Sequence, residues 1–170
     1  MSGIYLDHAA TTPMLENAIA AMDAQLRTLG NPSSLHTQGR HTRKDVEDAR
    51  EVLAKELDCL ASEIIFTASG TEANNTAIKG IYWQQKALGK NVIVISAIEH
   101  HATLDPAAWL AEHEGAEVIS APVTTDGVLD LDFLRSLVAQ RGSEIALISV
   151  MHANNETGAI QPIAEIVKIA

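Results

Sequence analysis

The sequence contains a single cysteine and few aromatic or basic residues, and each scarcity excludes a class of function. One cysteine, Cys59, rules out an internal disulfide and any Cys-x-x-Cys metal site. Two Trp, two Tyr and two Phe leave little aromatic surface for stacking nucleobases. The formal charge is -10, with 12 basic and 22 acidic residues, whereas binding nucleic-acid phosphates requires clustered Lys and Arg. We therefore expect no direct nucleic-acid binding.

Long apolar runs are also missing. No run approaches the ~20 residues that span a bilayer, and the first five residues lack the basic and apolar regions of a signal peptide. We therefore expect no membrane association and a cytoplasmic location. With 170 residues, of which 46% are hydrophobic and 20% charged, the chain has the length and composition of one ordinary folded domain.

Short β-rich runs alternate with amphipathic helical segments along most of the chain. The pattern predicts strands at residues 64–67, 91–95, 117–120 and 145–150. It predicts helices after these strands at residues 71–88, 104–113 and 131–140 and from about Pro162, and two earlier helices at 15–29 and 37–57. Strands that alternate with helices are typical of an α/β fold with a parallel sheet.

Polar motifs follow three of these predicted strands. Residues 69–72 (Ser-Gly-Thr-Glu) follow the first strand, residues 99–101 (Glu-His-His) the second, and residues 152–156 (His-Ala-Asn-Asn-Glu) the fourth. Right-handed crossovers bring the carboxyl ends of parallel strands to one edge, where open α/β sheets bind their ligands. We therefore expect the three loops to form one site.

The first of these loops is suited to an anion. Gly70 allows close approach of the backbone, the free N–H groups of the following helical turn favour negative charge, and Thr71 adds a hydroxyl donor. Neither GxGxxG nor GxxxxGKS/T is present, which excludes the usual dinucleotide and P-loop interpretations. Taken alone, the loop is better explained as a plain helix cap by Ser69 or Thr71.

The other two loops carry an imidazole and an amide. The His100 ring can stack on an aromatic ring and move protons near neutral pH, or it can be a histidine hydrogen-bonded within its loop. We expect no metal site, since adjacent residues such as Glu99, His100 and His101 rarely converge on one ion. Asn154 and Asn155 are turn formers, or Asn155 donates a hydrogen bond to a phenolate oxygen or a carboxylate.

In combination, the motifs resemble a known family along essentially the whole chain. The matching stretches are residues 5–13, 30–34, 65–75, 77–80, 99–100 and 151–158. Their order and spacing are similar to those of cysteine desulfurases of the NifS and IscS type. That resemblance implies part of the mostly parallel-sheet large domain of the pyridoxal 5'-phosphate (PLP) aminotransferase fold, with helices on both faces. It also implies an N-terminal segment at 1–14 and an incomplete PLP-binding domain at 15–170.

The resemblance assigns roles to four residues. Gly70 and Thr71 would hold the PLP phosphate. His100 would stack on the pyridine ring and assist proton transfers as a catalytic residue, and Asn155 would contact the side of the ring that carries the phenolic oxygen. The family is homodimeric and takes sulfur from L-cysteine, leaving alanine and an enzyme persulfide. The sulfur then passes to a sulfur-acceptor protein for iron–sulfur cluster assembly, or to tRNA thiolation.

Three parts of that family's site have no counterpart in the sequence. They are the Schiff-base lysine of a Ser-x-His-Lys segment, the persulfide cysteine of a late loop and the acidic partner of the pyridine nitrogen. Cys59 follows a helical run and is interpreted as a structural cysteine. The last predicted helix reaches Ala170 without a Gly or Asn cap. We therefore expect the N-terminal fragment of a longer desulfurase, inactive alone, with PLP expected in the complete enzyme.

Two alternatives stay open at this point. A naturally short, non-catalytic module that binds or regulates a full-length desulfurase would also lack the lysine. A selenocysteine lyase or a related PLP lyase would share the same motifs, because the residues that discriminate between such substrates lie largely outside this sequence.

Overall fold

A computed structural model describes residues 4–170 of the chain. These residues form two compact units, one that ends at Phe66 and one from Thr67 to Ala170. The boundary at residue 14 that the resemblance implies stays a prediction. Within residues 4–170, no helix combines the length and the apolar character needed to cross a membrane.

The first unit contains the two early helices that the sequence predicts. They are α1 (Glu16–Leu26) and α2 (Thr37–Glu56), and a short 3-10 turn follows at Ala61–Glu63. The loop between the helices lies close to the start of α2, where a Cβ atom on Gly30 would come within 2.6 Å of the Thr42 Cγ2 atom. Only glycine fits this approach without displacing the helix.

The strand predicted at residues 64–67 is wrong. The backbone is extended at Ile64, with φ -89° and ψ 122°, but these residues pair with no strand in the described part of the chain. Instead, the Arg50 guanidinium donates a hydrogen bond to the Ile64 carbonyl oxygen and lies 4.8 Å from the centre of the Phe66 ring. A side chain of α2 therefore holds the segment in place of a neighbouring strand.

The second unit alternates strands and helices, which confirms the predicted α/β class. Its elements are α3 (Gly70–Lys86), β1 (Val92–Ser96), α4 (His101–Glu114), β2 (Glu117–Ala121), α5 (Leu131–Arg141), β3 (Ile145–Ser149) and α6 (Ile163–Ile169). The three strands are parallel and lie in the order β2-β1-β3.

Local signals in the sequence explain where these helices begin and end. The Asp130 carboxylate accepts hydrogen bonds from the Asp132 and Phe133 N–H groups, at 3.0 and 2.9 Å, and so caps the start of α5. Gly115 ends α4 with φ at 73°, a left-handed conformation that glycine adopts without strain.

Helices cover both faces of the sheet, as expected. All five residues of β1 are buried, and alternate side chains point to opposite faces. Ile93 and Ile95 pack against α3 and α4, where their main partners are Ile78, Tyr82, Ala107 and Leu110. Val92 and Val94 pack on the other face against α5 and α6, where the buried partners include Leu134 and Ile166.

The pairing of β1 with β3 contains one irregularity. Val92 pairs with Ile145, whereas Ile93 pairs with Leu147, so Ala146 is an extra residue in β3. Ala146 and Leu147 consequently contact the same core layer, although they are adjacent in a strand. This β-bulge shifts the alternation of β3 by one residue before the strand reaches its carboxyl end.

Candidate active site

The strand order creates a crevice at the carboxyl ends of β1 and β3. The helix that follows β1 packs on one face of the sheet, and the helix that follows β3 packs on the other. The two connecting loops therefore diverge between neighbouring strands, and open α/β sheets bind their ligands at such points.

The start of α3 lies at this edge beside the start of α4. The Asn74 amide donates to the Thr103 hydroxyl oxygen, at 3.4 Å, near the starts of α3 and α4. The Tyr82 hydroxyl donates to the Glu114 carbonyl oxygen, at 3.3 Å, near their ends. The two helices consequently run side by side in the same direction, with both N-termini toward the crevice.

The start of α3 leaves two backbone donors for a ligand. Ser69 caps the helix, its Oγ accepting from the Glu72 N–H at 3.2 Å, while the Glu72 carboxylate accepts from the Ala68 N–H at 2.8 Å. Among residues 4–170, nothing accepts a hydrogen bond from the N–H groups of Gly70 and Thr71. A Cβ on Gly70 would meet no atom within 4 Å, so the space beside these donors is open.

This donor set fits a phosphate group. Phosphate oxygens accept hydrogen bonds from the free N–H groups at a helix N-terminus. The start of α3 has two such groups, a neighbouring hydroxyl and open space beside them. Ser69 is therefore a helix cap, as one of the two interpretations from the sequence expects, while the phosphate-binding role of Gly70 and Thr71 stays a prediction.

His100 is the last residue of the loop that connects β1 to α4. Its Nδ1 atom accepts a hydrogen bond from the Ala102 N–H at 3.0 Å, which caps α4. The side chain is exposed. Because Nδ1 is an acceptor here, the proton of the neutral ring lies on Nε2. The exposed ring and its Nε2 atom are thus accessible to a ligand, while His101 pairs separately with Asp105 at 3.2 Å.

The loop after β3 uses its two asparagines differently. Asn154 is buried, with 8% of its surface exposed, and its Oδ1 atom accepts from the Glu156 and Thr157 N–H groups at 2.9 and 2.8 Å. Asn155 is exposed and donates only to the Glu156 carboxylate, at 3.0 Å. The turn-forming role therefore belongs to Asn154, and the Asn155 amide is accessible.

Hydrogen bonds connect the loops that follow β1 and β3. The Asn154 Nδ2 group donates to the Ile98 carbonyl oxygen at 2.9 Å. The Met151 N–H donates to the Glu99 carboxylate. The loops that carry His100 and Asn155 thus meet at one edge of the sheet, as expected, while the roles assigned to these two residues stay predictions.

Glu99 has an electrostatic environment that the sequence did not reveal. It is half-buried, and burial raises the pKa of its carboxyl group above the ordinary value. Hydrogen bonds from the Met151 N–H and the Thr103 hydroxyl lower that pKa and offset part of the rise. At neutral pH the charge on Glu99 therefore opposes folding slightly.

At the amino ends of the strands, by contrast with the carboxyl ends, charged side chains pair with one another. Arg141 donates to both oxygens of Glu117, at 2.6 and 2.7 Å, and also to Glu144. The guanidinium group lowers the pKa of the Glu117 carboxyl. Free backbone donors and an accessible imidazole are features of the carboxyl edge, where the motifs lie.

Two lysines of the second unit have partners within the protein. The Lys79 ammonium lies 4.3 Å from the centre of the Trp109 ring, and Lys86 binds the Glu114 carboxylate at 2.8 Å. Cys59 is half-buried just after α2, consistent with the expected structural role.

Comparison with known proteins identifies the family. A family model described as aminotransferase class-V matches residues 4–170. The chain belongs to the class-V aminotransferase family.

Among curated relatives, the chain is 52% identical over 168 residues to an "IscS-like cysteine desulfurase" of Mycobacterium tuberculosis. That alignment covers 98% of this chain and 42% of the relative. The chain is 46% identical to a "Cysteine desulfurase IscS" of Dictyoglomus turgidum, covering 98% of this chain and 41% of the relative. It thus spans about two fifths of the length of these relatives. The resemblance to NifS and IscS proteins is confirmed.

Solved structures have the same fold along nearly the whole chain. A structure titled "NIFS-LIKE PROTEIN" matches with a TM-score of 0.90 and 35% identity, covering 98% of this chain and 44% of that one. A structure titled "SspA in complex with cysteine" matches with a TM-score of 0.86 and 31% identity, covering 98% and 47%. The expected aminotransferase fold is confirmed.

Changing Glu99 to Gln tests the electrostatics of this site. Glutamine keeps an oxygen that can accept from the Met151 N–H but removes the charge. A carboxyl whose folded-state pKa is raised contributes stability below its unfolded-state pKa and loses it as the pH rises through the folded-state pKa. We expect a higher free energy of unfolding than wild type at pH 7, and a difference that closes toward pH 4, measured by urea denaturation.

The matched control for this substitution is Glu112→Gln, because the Glu112 side chain is 79% exposed in the same unit. The control is expected to stay within about 0.5 kcal/mol of wild type at both pH values. A Glu99→Gln protein less stable than wild type at pH 7 would contradict the conclusion that burial dominates.

Proposed function

We propose that this chain is the N-terminal part of a PLP-dependent cysteine desulfurase that releases sulfur from L-cysteine and leaves alanine and an enzyme persulfide. The observation that carries the proposal is the edge of the sheet where two free N–H groups of α3 and the loops after β1 and β3 lie. The names of the curated relatives, which are cysteine desulfurases, support this substrate and reaction.

The phosphate of PLP would bind at the start of α3. The N–H groups of Gly70 and Thr71 and the Thr71 hydroxyl are the donors, and the helix dipole favours the negative charge. Glu72 does not compete for these donors, because its carboxylate accepts from the Ala68 N–H.

His100 and Asn155 would act on the ring and the substrate. PLP, when bound, supplies an electron-withdrawing ring that stabilises negative charge developing on the amino acid. The His100 ring would stack on that ring, and its Nε2 atom would hold or transfer a proton, since Nδ1 is used by the Ala102 N–H. The Asn155 amide would donate a hydrogen bond on the side of the phenolic oxygen.

The complete enzyme would supply the remaining chemistry. The family takes its Schiff-base lysine from a Ser-x-His-Lys segment, and none of the six lysines of this chain has that context. We propose a cytoplasmic homodimer that passes sulfur to an acceptor protein, and the IscS names of the relatives support a role in iron–sulfur cluster assembly. No observation specifically favours the non-catalytic module or the selenocysteine lyase.

The chain alone should lack turnover, because it has no lysine in the required context. Incubated with PLP and L-cysteine, it is expected to form alanine no faster than free PLP does, measured by amino-acid analysis. Sustained alanine formation above that background would show that a lysine of this chain serves the reaction.

Binding of pyridoxine 5'-phosphate tests the phosphate site directly, since this compound has no aldehyde to react with lysines. We expect calorimetric binding that a Thr71→Val substitution weakens on the order of tenfold, the loss expected for one hydrogen bond to a charged group. Thr76→Val is the control, because Thr76 is exposed farther along α3. Equal binding of pyridoxine without its phosphate would count against the site.

Two substitutions separate the roles of His100 as a helix cap and as a stacking ring. Asparagine is a good cap without an aromatic ring, so His100→Asn should keep the stability and weaken binding of pyridoxine 5'-phosphate. Phenylalanine has the ring but no acceptor, so His100→Phe should lose about 1 kcal/mol of stability and bind more tightly than His100→Asn. Urea denaturation and calorimetry measure the two effects, with His101→Asn as the control. Unchanged ligand affinity in His100→Asn would exclude stacking.

A further inference from the structure

Asn154 has every hydrogen-bonding group of its side chain engaged. Its Oδ1 atom accepts from the Glu156 and Thr157 N–H groups and, at 3.1 Å, from the Thr157 hydroxyl. Its Nδ2 group donates to the Ile98 carbonyl oxygen and contacts the Met151 sulfur at 3.4 Å. A fully satisfied, buried amide of this kind fixes one local arrangement, because each lost bond would leave a buried polar group unpaired.

The two ends of this amide have different consequences. The bonds to Oδ1 stay within the loop that follows β3, where the Asn154 backbone also pairs with Gly158 and Ala159. The bond from Nδ2 leaves the loop and reaches Ile98, two residues before His100. The acceptor end therefore closes the loop, and the donor end attaches it to the loop after β1.

Glu99 forms a second bridge between the same two loops. Its carboxylate accepts from the Met151 N–H, three residues before Asn154. Ile98 and Glu99 are consecutive, so the two bridges bind neighbouring residues of one loop to two points of the other. A single bond limits how far the two loops can move apart but lets them rotate about it. Two bonds at separate points restrict that rotation as well.

We propose that Asn154 and Glu99 are positioning residues, which together clasp the loop after β1 to the loop after β3 and so set the His100 ring relative to the Asn155 amide. The two bridges are contacts within the protein, whereas their role in placing His100 and Asn155 for a cofactor rests on the proposed function. Neither residue has to touch the cofactor or the substrate.

Asn154→Asp tests the clasp with little other change. Aspartate keeps oxygens that accept from the Glu156 and Thr157 N–H groups, but it has no donor and would face the Ile98 carbonyl with a negative charge. Asn91→Asp is the control, since it adds the same charge on an exposed side chain beside the amino end of β1.

The first measurement is NMR of the full chain without cofactor. In Asn154→Asp, we expect altered His100 ring signals and about tenfold faster amide hydrogen exchange at Met151. The bond from the Met151 N–H to Glu99 should open more often, because the neighbouring bond to Ile98 no longer supports it, and tenfold is the change expected for one lost hydrogen bond. The control should show neither. Changes confined to residues 152–159 would overturn the proposal, because they would limit Asn154 to closing its own loop.

A second pair of variants tests the other bridge. Glu99→Ala removes the acceptor and should reproduce the His100 signals of Asn154→Asp, whereas Glu99→Gln keeps the acceptor and should retain the wild-type signals. If Glu99→Ala does not fold, the comparison of Asn154→Asp with wild type decides. Wild-type signals in a folded Glu99→Ala protein would overturn the part assigned to Glu99.

Ligand affinity separates this proposal from the proposed function. If wild type binds pyridoxine 5'-phosphate, Asn154→Asp should weaken that binding at least tenfold while the protein stays folded, and equal affinity would overturn the positioning role. If wild type does not bind it, the proposed function fails, and the NMR comparison still shows whether the clasp exists.

Discussion

The second unit depends on the burial of β1 between two parallel neighbours. Each of its five residues is buried, so both faces of the strand must be covered by apolar side chains. The chain satisfies this requirement by placing α3 and α4 on one face and α5 and α6 on the other. The divergence of the loops after β1 and β3 follows from this arrangement, and with it the crevice that the motifs line.

The groups that make this edge suitable for a ligand are also groups that end or begin secondary structure. Ser69 and His100 each cap a helix, and Asn154 closes a loop. Helix starts have more N–H groups than their caps can satisfy, so donors are left over without any cost to the fold. The site therefore requires no strained backbone, because its free donors are the N–H groups that any helix start leaves unpaired.

Much of this arrangement could be predicted from the sequence. Three strands and six helices follow from periodicity and cap residues, and the motif spacing indicates the edge where the loops meet. The strand predicted at residues 64–67 is wrong, because a β-rich run does not reveal that the Arg50 side chain, rather than a neighbouring strand, binds this segment. The division of labour between Asn154 and Asn155, and the bridge from Glu99, depend on side-chain direction and burial, which spacing alone does not determine.

The extra residue in β3 has a consequence for how far the following loop reaches. If β3 continued regularly from Ile145, Ala146 would pair with Ile93, and every later residue would lie one position farther along β1, a shift of about 3.3 Å. Met151 would then lie beyond its hydrogen-bonding position at Glu99, and Asn154 would lose its alignment with Ile98. The bulge near the start of β3 thus takes up one residue, and the contacts formed past the strand's end depend on that adjustment.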